Sequence, residues 1–356
     1  MAVAVKIGKT TQIIGEWVEA LRATVAGHPS AQTWLRPAAI REPDHAILRI
    51  SALPALTRAT DSAPPELALG KTLGQGGMGL VRAARQLSLG REVAVKTLRS
   101  TVAGQSVAVR ALLHEAMVTG LLEHPNIIKV YALGQDENGG PMLVMKRVEG
   151  IAWSDILAQP THPLRARDAR DALQWNLDVL RQVSNAVALA HDRGIVHRDL
   201  KPDNVMIGHF GEVYLLDWGV AATWIDDRSG TLPLLADSKG PAGTPCYMAP
   251  EQVRGEGHAL GPHTDIFLLA TLLWEVLGGR APWTGDDVME VLFTAFACDF
   301  KPLPAPSRRS CLTTRPCTRY CGRPNSRPST SPANSIACAS LTDNGTNPLV
   351  LGSACA

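Results

Sequence analysis

A chain of 356 residues is long enough to bury a sizeable core, in one large domain or two. Apolar residues make up 45% of it, which is ordinary for a soluble protein. The formal net charge of +2 is unevenly placed, since residues 301–356 carry seven basic side chains and one acid while residues 1–300 are net negative. The charge therefore gives no argument that the folded part binds nucleic acid.

The sequence contains no pattern for membrane insertion or secretion. No apolar run reaches the roughly 18 residues that a membrane helix needs. The nearest, Ile266 to Leu277, is interrupted by Glu275 and is predicted to be a buried helix. The N-terminal stretch MAVAVKIGKTTQ lacks the features of a signal peptide, so we expect a cytoplasmic location.

Residues 1–66 are interpreted as an N-terminal extension of unknown role that is partly disordered. Gly15 to Ala26 could form an amphipathic helix, and the proline-containing stretch Ser51 to Pro65 is typical of a linker. Two Gly-Lys-Thr triplets, at residues 8–10 and 70–72, lack the glycine that a phosphate-binding loop places five residues earlier. Neither triplet therefore predicts such a loop.

From residue 67 the pattern indicates strand, glycine turn, strand, turn, strand. Glycines at 74, 76 and 79 are followed by Val81 and a second strand-like segment, Glu92 to Lys96. Dinucleotide-binding folds also use such a glycine triplet, but they place a helix directly after it. A strand after the glycines favours a loop whose backbone N–H groups cover phosphates.

The next segment, Val107 to Leu122, has helical periodicity. Glu115 lies 19 residues after Lys96 and is the natural ion-pair partner for a strand lysine. His114 and Glu123 are the competing polar residues, but a neutral histidine has no negative charge and Glu123 sits at the helix end. A lone lysine on a strand is usually solvated, so the pairing of Lys96 with Glu115 depends on the whole series of motifs described below.

Two further strands and a long helix complete the first half of the pattern. Ile127 to Tyr131 and Pro141 to Arg147 are predicted strands, joined by a polar turn at residues 136–140. Asp168 to His191 contains a predicted long helix.

The most informative stretch is Ile195 to Gly219, which reads IVHRDLKPDNVMIGHFGEVYLLDWG. Short apolar runs predict short strands, with polar residues of defined chemistry between and after them. Asp199, Asn204 and Asp217 on neighbouring loops can hold a divalent metal and position a hydroxyl nucleophile, which is what phosphoryl transfer needs. A polar hairpin in an unrelated fold is the alternative.

These motifs, in this order, resemble the eukaryotic-type (Hanks-type) serine/threonine protein kinases. The H-R-D-L-K-P-x-N loop stands at residues 197–204, and Asp-Trp-Gly at 217–219 takes the place of D-F-G. Residues 243–251 match G-T-x-x-Y-M-A-P-E, and the Arg-Ala-Pro-Trp at 280–283 also fits. The glycine loop GQGGMG is most similar to bacterial members of the family.

The resemblance covers residues 67–300 and implies an α+β, two-lobed kinase fold. A small lobe with an antiparallel sheet would span about 67–147, and a mainly helical lobe about 148–300 would follow, with ATP between them. The resemblance implies a protein serine/threonine kinase that transfers the γ-phosphoryl group of Mg-ATP to protein hydroxyls, with activation-segment autophosphorylation. Its partners would be ATP and protein substrates.

The resemblance also assigns catalytic roles. Asp199 would accept or orient the hydroxyl proton, Lys201 would meet the γ-phosphate, and Thr244 would support Asp199. Asn204 and Asp217 would hold magnesium, or manganese. Lys96, paired with Glu115, would contact the α- and β-phosphates. The ATP site would comprise Leu73, Gly74, Gln75, Gly76, Gly77, Met78, Gly79, Val81, Ala94, Lys96, Met145, Lys146, Val148 and Met206.

Four positions are assigned structural roles by the same resemblance. His197 would pack under the Asp-Trp-Gly turn rather than shuttle protons, and Asp265 would hold the catalytic-loop backbone from below. Trp218 replaces the usual Phe and would fill the same pocket with more volume. In relatives, a later helix supplies an Arg to the residue equivalent to Glu251.

Arg198 suggests control by phosphorylation, because it would repel its neighbours until a phosphate joins it. The candidate phosphorylation sites are Thr223, Ser229, Thr231, Ser238 and Thr244, the last being least suited because it supports Asp199.

The tail, residues 301–356, departs from the family. It holds eight Pro, eight Ser, six Thr and five of the seven cysteines, and no C-x-x-C pair. These spacings predict neither a zinc module nor a disulfide framework. We expect a disordered tail that is foreign to the kinase lobe, and hypothesise a change of reading frame. Glu251 would then lack its Arg, costing about 3–5 kcal/mol in the substrate-side loop.

Two substitutions and two other functions remain to be weighed. Thr119 stands where an apolar residue is usual and would need a hydrogen-bond partner. Lys146 stands where many relatives have Glu, and we expect little effect because backbone groups bond the base. The incomplete lobe leaves a nucleotide-binding pseudokinase or scaffold as the alternative. A small-molecule phosphotransferase is disfavoured by the Ala-Pro-Glu segment and Thr244.

Overall fold

A computed structural model describes most of the chain between residues 53 and 303. The chain divides into two units, residues 1–304 and 305–356, of which the second lies wholly outside the described residues. The predictions for residues 1–52, for the tail, and for Gly77, Met78, Ser229 and Thr231 also fall outside them. The described ranges are 53–57, 65–76, 79–103, 105–159, 162, 172–225 and 232–303.

The N-terminal lobe is a five-stranded antiparallel sheet in the order β1-β2-β3-β5-β4, with helix α1 packed on it. Alternate side chains of β3 and β5 form its core, among them Val93, Val95, Met142 and Val144. The elements are β1 Leu67–Gln75, β2 Gly79–Gln86, β3 Arg91–Leu98, α1 Ser106–Leu121, β4 Val130–Gln135 and β5 Pro141–Lys146.

Strand β4 begins later than the predicted Ile127. Ile127 instead makes a parallel bridge with Leu215, and the Ile128 N–H donates to the Leu215 carbonyl at 3.2 Å. The apolar residues that suggested an earlier strand therefore connect the two lobes. Apolar pattern alone does not distinguish these two pairings.

The second lobe is mainly helical and also contains two small sheets of short strands. Strands β6, β8 and β9 form one small sheet, and β7 pairs with β10. Its elements are β6 Gly150–Ala152, α2 Trp153–Ala158, α3 Ala172–Asp192, β7 Ile195–Val196, β8 Val205–Gly208, β9 Val213–Leu215, β10 Ala222–Thr223, α4 Pro250–Arg254, α5 Pro262–Gly278 and α6 Val288–Ala297.

Helices α3 and α5 pack together in the main core, which includes Val183, Ala186, Leu268 and Leu272. Helix α5 begins with a proline in its first turn and ends before Gly279, whose φ of +69° forms the left-handed cap. Only one face of α5 is buried, whereas the sequence predicted a buried helix. Ile266 and Leu277 on another face are 57% and 48% exposed.

Within the described ranges, no helix combines the length and apolar character that crossing a membrane requires. The fold places β3, α1, the loop after β7 and the residues after β9 around one cleft. These are the segments that carry the predicted site.

Candidate active site

Strand β3 and helix α1 bring Lys96 and Glu115 together. The Lys96 Nζ lies 2.6 Å from both carboxylate oxygens of Glu115 and 4.0 Å from Oδ1 of Asp217. Burial by itself would lower the pKa of Lys96, but the carboxylates of Asp217 and Glu115 outweigh it and raise that pKa. Lys96 is therefore a fixed positive charge in the cleft.

The pKa values of the two carboxylates shift in opposite directions, although Lys96 acts to lower both. Burial, reinforced by the charge of Asp217, raises the pKa of Glu115. The Lys96 ammonium lowers the pKa of Asp217 against the effect of burial. Asp217 has a left-handed φ of +56°, and its Oδ1 accepts the Gly219 N–H at 3.2 Å. The site thus holds Asp217 ionised and turned toward Lys96.

Asp199 lies in the loop after β7 and is held by three other side chains. Its Oδ1 accepts the Thr244 hydroxyl at 2.6 Å, and its Oδ2 lies 3.2 Å from the Lys201 Nζ. The Asn204 amide donates to the Asp199 carbonyl at 2.8 Å and to Oδ2 at 3.2 Å. Lys201 also donates to the Thr244 hydroxyl at 2.7 Å, which orients that hydroxyl's own proton toward Asp199.

The backbone of this loop is bonded from below by Asp265 of helix α5, which is fully buried. Its Oδ2 accepts the His197 N–H and the ring Nε2 of His191, and its Oδ1 accepts the Arg198 N–H, all at 2.8 Å. A buried carboxylate needs such partners, because an unpaired one is costly. Asp265 therefore lies where the sequence expects a support for the loop.

His197 lies against the indole of Trp218, with ring centroids 4.5 Å apart. Its Nδ1 accepts the Asp199 N–H at 3.2 Å, so Nε2 carries the proton and donates to the Leu216 carbonyl, also at 3.2 Å. Burial lowers the pKa of His197. Both ring nitrogens are engaged, which matches a structural role rather than proton transfer.

Asn204 and Asp217 form the candidate metal site. The Leu216 N–H donates to the Asn204 carbonyl at 2.8 Å. Because Asp217 follows Leu216, this bond holds Asn204 and Asp217 side by side. Because the Asn204 amide nitrogen donates to Asp199, its amide oxygen is the atom that can face a cation. The described residues contain no cluster of three His, Cys, Asp or Glu ligands. One carboxylate and one amide oxygen fit Mg²⁺ that is also bound by phosphates.

The nucleotide-site residues line up across the sheet. Gly74 pairs with Val81, Val81 with Lys96, and Ala94 with Met145. The glycine turn closes through a 2.9 Å bond from the Gly76 N–H to the Gly79 carbonyl. A Cβ on Gly79 would lie 3.2 Å from Cε of Lys96, so only glycine leaves that lysine undisturbed. Leu73 and Gln75 lie on β1, and Met206 on β8.

Residues 67–310 match the family model of the protein kinase domain. The chain belongs to the protein kinase family. It is 34% identical over 250 residues to serine/threonine-protein kinase PknB of Mycobacterium tuberculosis, covering 69% of this chain and 37% of that protein. It is 34% identical over 223 residues to serine/threonine-protein kinase PrkC of Bacillus subtilis, covering 62% and 32%.

A probable serine/threonine-protein kinase PknB of Bifidobacterium longum is 35% identical over 233 residues, covering 63% of this chain and 32% of that protein. The chain thus spans about a third of the length of these curated relatives. The family match establishes the two-lobed kinase fold that the motifs indicated.

In this chain Arg198 of the His-Arg-Asp motif is buried against the activation segment, defined as the residues between Asp217 and Glu251. The Arg198 Nε donates to the Val220 carbonyl at 2.6 Å, and Nη1 donates to the Ser238 hydroxyl at 3.0 Å. Burial lowers the pKa of Arg198 to about 10. No carboxylate of the described residues forms a salt bridge with its guanidinium. Thr223, another candidate, is held in β10 with its hydroxyl bonded to Ile225.

Two further positions raised by the sequence have hydrogen-bond partners. The Thr119 hydroxyl donates to the Glu115 carbonyl one helical turn earlier, at 2.7 Å. Glu251 accepts the Thr264 hydroxyl at 3.0 Å and lies 3.9 Å from the His263 ring. Among the described residues no Lys or Arg forms a salt bridge with Glu251.

Sequence reasoning missed Gln252 and did not predict the environment of His114. The Gln252 amide donates to the Arg198 carbonyl at 2.7 Å and the Ala242 carbonyl at 2.9 Å, so it joins the catalytic loop to the activation segment. An uncharged Gln beside the Pro-Glu pair gives no signal in a sequence. His114 is buried, and its Nε2 has no hydrogen-bond partner among the described residues.

Proposed function

We propose that this kinase transfers the γ-phosphoryl group of Mg-ATP to serine or threonine hydroxyls of proteins. The observation that carries the proposal is the hydrogen-bonded set of Asp199, Thr244, Lys201 and Asn204. A carboxylate held by three side chains, beside a second ionised carboxylate, is the arrangement phosphoryl transfer requires. The names of the relatives, serine/threonine-protein kinases, support the same substrate class.

In the proposed reaction the substrate hydroxyl donates a hydrogen bond to Asp199 and attacks the γ-phosphorus. A new O–P bond forms as the bond to the β,γ-bridging oxygen breaks, ADP leaves, and the hydroxyl proton passes to Asp199. Lys201 offsets charge on the γ-phosphate, and Lys96 binds the α- and β-phosphates. Magnesium held by Asn204 and Asp217 would neutralise charge on the phosphate oxygens.

Labelled ATP tests this proposal with purified full chain and a generic protein substrate. Phosphoserine or phosphothreonine should accumulate with wild type, and Asp199→Asn should abolish it. The matched control is Asp286→Asn, which alters an exposed carboxylate far along the chain, before α6. Equal turnover by wild type and Asp199→Asn would contradict the proposed mechanism.

For regulation, we propose Ser238 as the activation-segment phosphorylation site. Its hydroxyl is already within hydrogen-bond distance of the Arg198 guanidinium, which forms no salt bridge with a carboxylate of the described residues. A phosphate there would form charge-assisted bonds with Arg198. Because Ser238 is buried, the segment must open for transfer and then close. Mapping phosphorylated residues by mass spectrometry, with Ser238→Ala as the comparison, tests this site.

A binding-only role, as a pseudokinase or scaffold, is supported by two observations. Glu251 has no Lys or Arg salt-bridge partner among the described residues, and the α5 face with Ile266 and Leu277 is exposed. Such a surface is typical of sites where proteins associate. Stable Mg-ADP binding without any phosphate transfer would favour this second function.

A further inference from the structure

The side chain of Lys146 contacts the second lobe, although Lys146 is the first residue of the nucleotide-binding hinge, here defined as residues 146–149 from the end of β5 to the start of β6. Its Nζ donates to the Tyr214 hydroxyl at 2.6 Å and lies 4.6 Å from the centroid of the same ring. The pair therefore combines a charge-assisted hydrogen bond with a cation–π contact. Lys146 ends β5 of the first lobe, and Tyr214 is in β9 of the second.

Further hydrogen bonds around this contact hold both Lys146 and β9 to residues 126–129. The Lys146 N–H donates to the Lys129 carbonyl at 2.8 Å, on the segment that leads into β4. On either side of Tyr214, the Leu215 N–H donates to the Asn126 carbonyl at 2.7 Å, and the Asn126 side-chain amide donates to the Val213 carbonyl at 2.9 Å. Strand β9 is thus bonded to residues 126–128 by its backbone and to the hinge by Tyr214.

Tyr214 is also connected to the floor of the nucleotide site. It is the register partner of Met206 in the β8–β9 pair, and Met206 is the residue expected beneath the adenine. Three residues after Tyr214 comes Asp217, the candidate metal ligand. A displacement of β9 relative to the hinge would therefore change the nucleotide site both at Met206, on the adenine side, and at Asp217, the candidate metal ligand.

A neighbouring cation does not compete for Tyr214. Arg147 forms salt bridges with Glu92 and with Glu149. Arg147, Lys146 and Tyr214 together line a cavity of about 290 Å³. The hydrogen bond that Lys146 donates to Tyr214 is the main cause that raises the pKa of Lys146, so the lysine stays protonated.

We propose that Lys146 is a positioning residue for the nucleotide. Its bond to Tyr214 of β9, here called the clamp, fixes the position of the hinge backbone relative to Met206, the residue expected beneath the adenine. This role rests on the proposed function only in that the cleft binds nucleotide. It replaces the expectation that a lysine at this hinge position has little effect.

Calorimetric titration of the full chain with Mg-ADP tests the clamp without phosphate transfer. Lys146→Met should raise the Kd about five- to tenfold, since it removes a hydrogen bond from a charged group. Lys146→Arg keeps the cation and a donor and should stay within about twofold of wild type. Tyr214→Phe keeps the ring but loses the hydroxyl, so we expect about threefold.

The matched control is Arg91→Met. Arg91 lies 3.8 Å from the ring centroid of Tyr131, a cation–π contact within the first lobe that does not join the hinge to β9. It should leave the Kd for Mg-ADP unchanged. In turnover assays Lys146→Met should raise the KM for ATP. The kcat and the KM for the protein substrate should stay at wild-type values, because the bond acts on the nucleotide site alone. A general loss of stability would not change the KM for ATP by itself.

The outcomes separate this inference from the proposed function. If Lys146→Met binds Mg-ADP like wild type, or if its effect simply adds to that of Tyr214→Phe in the double variant, the clamp is wrong. If wild type binds Mg-ADP but transfers no phosphate, the proposed function fails, and the binding series still decides the role of Lys146. A wild-type chain that binds no Mg-ADP overturns both.

Discussion

The carboxylate of Asp265 holds the backbone of Arg198, with Oδ1 2.8 Å from the Arg198 nitrogen. Arg198 has a φ of +68°, a left-handed conformation that costs a non-glycine residue about 1–3 kcal/mol. The bond from a helix 67 residues away offsets this cost. It also turns the Arg198 side chain toward the activation segment and leaves Asp199 facing Thr244.

Asp265→Asn should therefore weaken both stability and activity. The amide keeps one acceptor but places an NH₂ group against backbone N–H donors, so we expect a loss of about 3 kcal/mol in the free energy of unfolding. Turnover should fall as well, since Arg198 and Asp199 lose their support. Urea denaturation measures the first effect. Glu256→Gln, at an exposed carboxylate, should show neither effect, and an unchanged Asp265→Asn would count against the support role.

Lys96→Met and Asp199→Asn should both abolish phosphate transfer, for different reasons. Asp199 acts on the hydroxyl, so its loss should lower kcat about 10²–10⁴-fold with little effect on nucleotide affinity. Lys96 contacts phosphate, so its loss should weaken Mg-ATP binding more strongly. Turnover assays paired with calorimetry separate the two. Similar Kd values for both variants would contradict the assignment of Lys96 to the phosphates.

Thr244→Ala should lower kcat about tenfold, the effect of losing a hydrogen bond to a charged group. The Thr244 hydroxyl bridges Lys201 and Asp199, so its removal leaves both side chains less well oriented. Thr244→Ser retains the hydroxyl and should stay within about threefold of wild type. If the serine variant is as slow as the alanine variant, the methyl group and not the bridge is what matters.

His114 should make the stability of the kinase fall in mild acid. Burial, helped by the charge of Arg198, lowers the pKa of His114 to about 4 from an ordinary 6.5. Below pH 6.5 the unfolded chain binds a proton that the folded chain does not, so stability falls until about pH 4. The full effect is about 3 kcal/mol.

Comparing wild type with His114→Leu by thermal unfolding at several pH values isolates this contribution. His197, whose pKa is also lowered, acts in the same direction, and Glu115, whose pKa is raised, acts in the opposite direction. Both remain in the variant, so the difference between the two curves belongs to His114. Parallel curves from pH 7 to pH 4 would show that His114 does not titrate as a buried group.

Much of this kinase could be read from residue order alone. The spacing of the His-Arg-Asp, Asp-Trp-Gly and Ala-Pro-Glu segments predicted the family, and the resemblance to that family implied the pairing of Lys96 with Glu115. These predictions succeed because phosphate and metal chemistry restricts residue types and because local loops fix short spacings. Apolar patterns predicted the strands of the first lobe, β7 to β9 and the long helices α1, α3 and α5, apart from their ends. They gave no prediction for β6, β10, α2, α4 or α6.

Only the tertiary structure decided which long-range partners each polar group has. Lys146 and Tyr214, Gln252 and the Arg198 carbonyl, and Ser238 and the Arg198 guanidinium are pairs from distant segments. The same holds for the exposed face of α5 and for Ile127, whose apolar character fits either a strand of β4 or a bridge to Leu215. The sequence determines which residues are charged and which can be buried, because both properties depend on the chemistry of each side chain. Which of them meet depends on how the lobes pack, because a hydrogen bond needs atoms within about 3 Å, and no local pattern specifies that distance.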